Sequence, residues 1–333
     1  MMKAAWYDQC GAAADVLRVG QRGIPEPAAG EVRVRMEASG INPVDVKRRQ
    51  GGRGVMGTAR IVPHFDGAGV IDAVGEGVSA KRAGERVWIY EAQWQRNSGT
   101  AAEAVVLPGR LAVPLPAGTS FEEGACLGIP AMTAHRAVHA SGEVHGKVLL
   151  ITGGAGAVGN YAIQFARMAG AHVIATVSGI EKEAMARAAG AEAVLNYRTE
   201  DVAKRVMEIT KGEGVDSVVE VEFGGNLGVS VEVLKVGGSI NTYASEAVRD
   251  PAVPFYQLLY KSITVNHILV FQMPEEAKRR AIDDIAAGLV AGTLRHQVGE
   301  AFALEDIAAA HEAVEAVEAV EAGAGGKVVV NRF

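Results

Sequence analysis

At 333 residues the chain is longer than one hydrophobic core usually serves, so two domains are expected. About half of its residues are apolar and 22% are charged, which is the profile of an ordinary globular protein and excludes an extensively disordered one. The net charge of −6, with no long Lys/Arg run, argues against nucleic acid or an anionic membrane as the main partner, and no apolar run reaches the roughly 20 residues of a membrane span.

The N-terminal "MMKAAWYDQCGAAADVL" has no basic region followed by an apolar stretch, so a cytoplasmic address is expected. Cys10 and Cys126 are too few and too far apart for a disulfide framework or a cysteine-based zinc motif, and both read as small buried hydrophobes. Up to residue 123 the chain runs through short apolar segments, "EVRVRMEASGI", "GAGVIDAVG", "ERVWIY" and "EAVVLP", punctuated by Gly and Pro. That rhythm predicts an irregular, β-rich domain.

From residue 124 strand-like and helix-like segments alternate. "KVLLITG" reads as a buried strand, and "AVGNYAIQFARMAG" carries Val158, Ala162, Phe165, Ala166 and Ala169 at helical spacing. "AHVIATVS", "AEAVLNY" and "GVDSVVEV" read as strands, with "EKEAMARAAG" and "TEDVAKRVMEIT" as helices between them. "NLGVSVEVLKVG" reads as a helix, followed by strands "GSINTYA" and "SITVNHILV". Six strands with intervening helices predict an α/β, doubly wound parallel sheet of the dinucleotide-binding type, in order 3-2-1-4-5-6. After the helix "IDDIAAGLVAGTL" comes a strand-helix-strand tail. Its last strand has no place in the nucleotide sheet, so residues 297–333 are expected to rejoin residues 1–123, leaving 124–296 as the nucleotide domain.

The strongest chemical signal is "ITGGAGAVG" at 151–159. Gly153, Gly156 and Gly159 fall three apart between a strand and a helix, where the turn is tight and the backbone of Ala155, Gly156, Ala157, Val158 and Gly159 approaches a pyrophosphate at the helix N-terminus. An NAD enzyme usually places Asp or Glu at the end of the second strand. Here the chain has Ser178, with Lys182 just beyond, a hydroxyl and an ammonium suited to a 2′-phosphate. NADPH is therefore expected over NADH, with Tyr197 offering a ring and a hydroxyl on the adenosine side; Glu181, near in sequence, argues against a 2′-phosphate unless it serves the helix dipole.

"ASGINPVDVKRRQG" (38–51), "PHFDGAGVIDAVGEGV" (63–78), "GIPAMTAHRAV" (128–138), the glycine loop and "AHEAV…GKVVV" occur in the order of the medium-chain dehydrogenases/reductases. Over nearly its whole length the chain resembles their zinc-independent NADPH:quinone oxidoreductase (zeta-crystallin-like) branch. The resemblance implies a GroES-like β-barrel domain built from both termini, a Rossmann domain between them, and an active-site cleft at their junction. It places Asn42, Asp45 and Arg49 near the reacting groups and Thr133 beside the nicotinamide. It puts Lys47 where the family often has a tyrosine, to donate to cofactor or substrate in its place or to point to solvent, and assigns cofactor contacts to Asn42, Asn226, Tyr243, Ala244, Ser245, Leu269 and Val270. An Asp45–Arg49 ion pair is the alternative to a substrate role for those two residues, and Lys327 reads as a solvated lysine.

No metal is expected. The zinc branch of the same superfamily has a cysteine in the "SGINP" region and a His-Glu pair within "HFDGAG", where this chain has Asn42, Pro43, Phe65 and Asp66. His64 and Asp66 supply at most two ligands of the three that catalytic zinc requires, and His135 and His139 lack the intervening glutamate of HExxH. Asp66 then reads as a structural carboxylate. A quinone accepts hydride without a Lewis acid, and a 2-alkenal or other enone reacts similarly at its β-carbon. The reading is an NADPH-dependent reductase of quinones or activated alkenes, working as a homodimer paired at the sixth strand. The alternative from another class is a non-enzymatic, crystallin-like or RNA-binding protein that holds NADPH. The "AVEAVEAVEA" repeat (313–322) reads as a lengthened, solvated helix end.

Overall fold

The computed structural model describes residues 1–52, 60–320 and 326–333. Two compact units divide the chain, one of Met1–Ile129 with Ile282–Phe333, the other of Pro130–Ala281.

The first unit is built on a seven-stranded sheet. Its strands run Val298–Ala303, Lys327–Arg332, Glu31–Gly40, Asp66–Val74, Arg86–Ile89 and Ala112–Pro114, with Ala104–Pro108 also paired to Glu31–Gly40. The alternation in "EVRVRM" turns Val32, Val34 and Met36 into the core and leaves the arginines outward, as the two-residue period of a strand requires. Gly40 lies opposite Asp66 in one pairing and opposite Val329 in the other. This register makes residues from three distant parts of the sequence meet at one end of the sheet.

The second unit holds six parallel strands in the order Ala193–Asn196, His172–Val177, Val148–Ile151, Val215–Glu220, Leu234–Thr242, Thr264–His267. Numbered along the chain this is 3-2-1-4-5-6, the expected doubly wound order. Leu150, Ile174, Val218 and Ile240 share one face, packed with Ala203, Val206, Leu227 and Val231 of the covering helices.

Local expectations needed correction at several points. The helix in "NLGVSVEVLKVG" ends at Val233, because Leu234 turns to extended backbone (ψ 140°) and pairs with Val215, so "LKVG" belongs to the fifth strand. Cys10 is exposed, whereas Cys126 is buried and its thiol pushed up to about 12 by desolvation. Glu315 of the acidic repeat is not simply solvated: it meets the buried guanidinium of Arg49. Residues 321 and 322 of that repeat lie outside the described residues.

Candidate active site

In the second unit the phosphate loop is set by glycines at which a side chain would be strained or crowded. Gly153 adopts φ +64°, a left-handed conformation that favours glycine, and a Cβ on Gly159 would lie 2.2 Å from the Gly153 carbonyl oxygen. The helix Ala157–Met168 therefore starts hard against the strand end, and its first-turn N–H groups have no intrahelical acceptor. The Gly156 N–H closes the turn on the Gly153 carbonyl at 2.9 Å, and Ala157, exposed at the first helical position, leaves its N–H open to an anion. Ala155 is buried beneath them and Val158 half-buried.

At the end of the neighbouring strand, Lys182 Nζ donates to Ser178 Oγ at 2.9 Å. The Tyr197 N–H bonds the Val177 carbonyl, which brings the exposed ring of Tyr197 beside the same strand end. A hydroxyl and an ammonium thus meet at this strand end, with the backbone of Tyr197 bonded to the residue before them. The residues present fit NADPH.

Along the rest of this edge a residue that sequence reasoning missed organises the others. Glu220, fully buried at the end of Val215–Glu220, accepts hydrogen bonds from Thr152 Oγ1 (2.8 Å), the Glu222 N–H (2.8 Å), Asn226 Nδ2 (2.8 Å) and Ser230 Oγ (3.1 Å). Burial raises its pKa and those four donors oppose the rise. Asn226 thereby turns its amide N–H to Glu220. Glu222 receives the N–H groups of Glu246, Ala247 and Val248, and Ser245 Oγ bridges Gly224 N–H and the Val248 carbonyl. Burial works against ionisation of Glu222, but these backbone donors prevail and hold its pKa below the usual range. The loop carrying Tyr243, Ala244 and Ser245 is clamped in this way. Leu269 is exposed and Val270 buried, both just beyond the last strand.

In the first unit, Asn42 caps the helix Pro43–Arg49, with Pro43 at the first helical position and Asp45 accepting the Asn42 N–H at 2.7 Å. The Asn42 side chain joins a buried cluster. Its Nδ2 donates to Asp66 Oδ2 (2.8 Å) and its Oδ1 accepts from Lys327 Nζ (3.0 Å), while Lys327 Nζ also meets Asp66 Oδ2 at 2.5 Å. The Asp66 carboxylate takes a further N–H from Ile129, in the first turn of the helix Gly128–His139. Lys327 is thus buried and paired, not solvated, a correction made by the three-strand register. The cluster satisfies the condition under which a buried ion pair is tolerated, since other donors complete the carboxylate.

Asp45 lies close by and is wholly buried; burial raises its pKa to about 7, the Asn42 N–H opposes this, and the neighbouring Asp66 adds to it. Arg49 is drawn elsewhere. Its guanidinium is fully buried and donates to the Gly11 carbonyl and to Glu315, so its ion pair is with Glu315 instead of Asp45. Lys47 is half-buried on the same short helix, and Thr133 is buried in Gly128–His139. The structure therefore brings Asn42 and Asp45 together with Asp66 and Lys327 and separates Arg49 from them. The sequence signal for Lys327 was its place at the head of "KVVV", a lysine opening a buried strand.

A six-stranded parallel sheet with this loop defines a dinucleotide-dependent oxidoreductase, and the accompanying seven-stranded unit narrows the class. Residues 28–117 match the alcohol dehydrogenase GroES-like domain and residues 157–287 the zinc-binding dehydrogenase domain. The chain is 29% identical over 308 residues to quinone oxidoreductase of Lama guanicoe, covering 92% of this chain and 90% of that protein. It is 31% identical over 303 residues to 2-haloacrylate reductase of a Burkholderia species, covering 87% and 88%. Escherichia coli quinone oxidoreductase, solved in complex with NADPH, superposes with a TM-score of 0.84 at 25% identity over 99% of both chains. The chain belongs to the medium-chain dehydrogenase/reductase family, in its quinone oxidoreductase branch.

Proposed function

We propose that the protein is an NADPH:quinone oxidoreductase. The observation that carries this reading is the Ser178–Lys182 pair beside the glycine loop, a cationic, hydroxyl-bearing strand end in place of the carboxylate that would favour NADH. Residues 155–159 form the pyrophosphate loop, with the first-turn N–H groups of the helix from Ala157 as its donors; Ser178 and Lys182 hold the 2′-phosphate, and Tyr197 the adenosine. Thr133 lies beside the nicotinamide, and Tyr243, Ala244, Ser245, Leu269 and Val270 contact the cofactor. NADPH, when bound, supplies a hydride. Asn42 orients the acceptor carbonyl or the cofactor carboxamide, and the acceptor oxygens take their protons from water. The reading uses no metal: of the two ligands that the sequence offers at His64 and Asp66, Asp66 is hydrogen-bonded to Lys327. Arg49 anchors the fold through Glu315.

Kinship with a 2-haloacrylate reductase favours a second acceptor class, activated alkenes. The protein acts in the cytoplasm, as a homodimer paired along Thr264–His267, the edge strand of the parallel sheet. NADPH oxidation measured with phenanthrenequinone, a naphthoquinone and a 2-alkenal tests the reading. Turnover unaffected by a chelator is expected; tight NADPH binding without turnover on any acceptor would leave the non-enzymatic alternative, and zinc-restored activity would refute the metal-free site.

A further inference from the structure

The buried cluster fixes more than charge. A lysine ammonium only donates hydrogen bonds and a carboxylate only accepts them, so the Asn42 atom facing Lys327 must be Oδ1 and the atom facing Asp66 must be Nδ2. The amide is held in one of its two orientations. One Nδ2–H goes to Asp66, and among the described residues nothing takes the other. The site is also built to measure. A Cβ on Gly40 would lie 2.2 Å from the Ala125 carbonyl oxygen and 2.7 Å from Lys327 Cε, and one on Gly128 would lie 2.1 Å from Asp66 Oδ1. Two glycines clear the space that the lysine stem and the carboxylate occupy.

We propose that Lys327 is a positioning residue for hydride transfer: by pairing with Asp66 it locks the Asn42 amide so that its remaining N–H is the donor offered to the acceptor or cofactor oxygen. This rests on the proposed oxidoreductase reading. Without the ammonium, Asn42 Oδ1 loses its donor and the buried Asp66 carboxylate loses the cation hydrogen-bonded to it, so the amide is no longer held by a partner on each side. Among the described residues, Asp66 is then left with the Asn42 amide and the Ile129 N–H as its side-chain hydrogen-bond partners.

The test is a double-mutant cycle of Lys327→Met and Asn42→Ala, with Lys327→Arg alongside, read by kcat and KM for phenanthrenequinone and by NADPH affinity from fluorescence. Lys327→Met is expected to lose about tenfold or more in kcat/KM; the double variant falls no further than Asn42→Ala, and Lys327→Arg keeps most of the activity. Losses that multiply in the double variant, or no rescue by Lys327→Arg in a folded protein, would overturn the proposal. If Lys327→Met fails to fold, Asp66→Asn/Lys327→Met, which leaves no unpaired buried charge, takes its place in the cycle and is expected to show the same non-multiplying loss. If the wild type reduces no acceptor, the oxidoreductase reading falls by itself, and the same cycle on NADPH affinity still supports the Lys327–Asn42 coupling or overturns it.

Discussion

The Nε2 atoms of His64 and His311 lie 2.9 Å apart, with both imidazoles wholly buried. Proton accounting fixes how they share that contact. Thr100 Oγ1 donates to the Asp66 carbonyl at 2.6 Å, so it accepts from Ser39 Oγ, which in turn accepts from His64 Nδ1. His64 then carries its proton on Nδ1, and its Nε2 accepts from His311 Nε2–H. Both rings are neutral. This network also holds His64 at φ +78°, a left-handed conformation that costs a non-glycine residue on the order of 1 kcal/mol.

Acid stability depends on the pair. Burial is the main cause that lowers both pKa values, with His311 and Lys327 adding to it for His64, and Arg49 for His311, which falls to about 3. Below the ordinary value of 6.5 the unfolded chain binds protons that the folded one refuses, so stability drops as pH falls from 6.5. Each histidine contributes up to about 2 kcal/mol of loss between pH 6.5 and 5. His311→Gln keeps the N–H donor to His64 without titrating, and urea midpoints should fall less steeply in that variant. Equal slopes would show that the pair does not govern acid unfolding.

The cofactor preference rests on Lys182. Lys182→Ala removes an ammonium that meets the Ser178 hydroxyl, and NADPH affinity should fall roughly tenfold while NADH affinity changes little, a charge-assisted hydrogen bond being worth about 1.5–3 kcal/mol. Fluorescence titration with both cofactors checks it, and equal losses would mean that Lys182 does not read the 2′-phosphate.

Gly159→Ala tests the phosphate loop. The added methyl would have to displace the Gly153 carbonyl or push the helix from the strand, and overpacking of this kind costs about 1–3 kcal/mol. Weaker NADPH binding and a lower Tm are expected together, whereas Gly179→Ala, where a Cβ meets nothing within 4 Å, should change neither.

The parallel sheet and its loop were legible in the sequence because they are local signals: a strand, a glycine triplet and a helix succeed one another within about twenty residues, and their periodicity needs no distant partner. Lys327, Glu220 and Glu315 were opaque because burial of a charge depends on what meets it. Lys327 finds Asp66 across 261 positions, and Arg49 finds Glu315 across 266. Sequence spacing suggested Asp45 as the partner of Arg49, one helical turn away; the fold places a helix from the far end of the chain there instead.

Arg49→Met separates anchoring from catalysis. The guanidinium is fully buried but Glu315 is about one-third exposed, so on loss of its partner the carboxylate can rehydrate, and the cost should be about 2 kcal/mol, below that of breaking a fully buried pair. A lowered Tm with kcat/KM of the folded enzyme within about twofold of wild type is expected. A large loss of kcat in a protein of unchanged stability would return Arg49 to the reacting groups.

Asp45 gives a pH dependence of opposite sign to the histidines. Its folded pKa of about 7 lies above the ordinary 3.8, chiefly because burial disfavours the charged form, so between those values the folded state holds a proton that the unfolded state releases. Stability contributed by this group is complete below pH 3.8, is lost as the pH rises towards 7, and changes no further above it. Its Oδ1 is buried with no hydrogen-bond partner among the described residues, whereas Oδ2 accepts the Asn42 N–H that caps the helix. Asp45→Asn keeps an acceptor for that cap and removes the titration. The variant should therefore be more stable than wild type at pH 8, by on the order of a few kcal/mol, with the difference shrinking steadily towards pH 4. Urea unfolding of both proteins at pH 4, 6 and 8 measures it. A gap that stays constant across that range would mean that Asp45 ionises in the folded protein as it does in water.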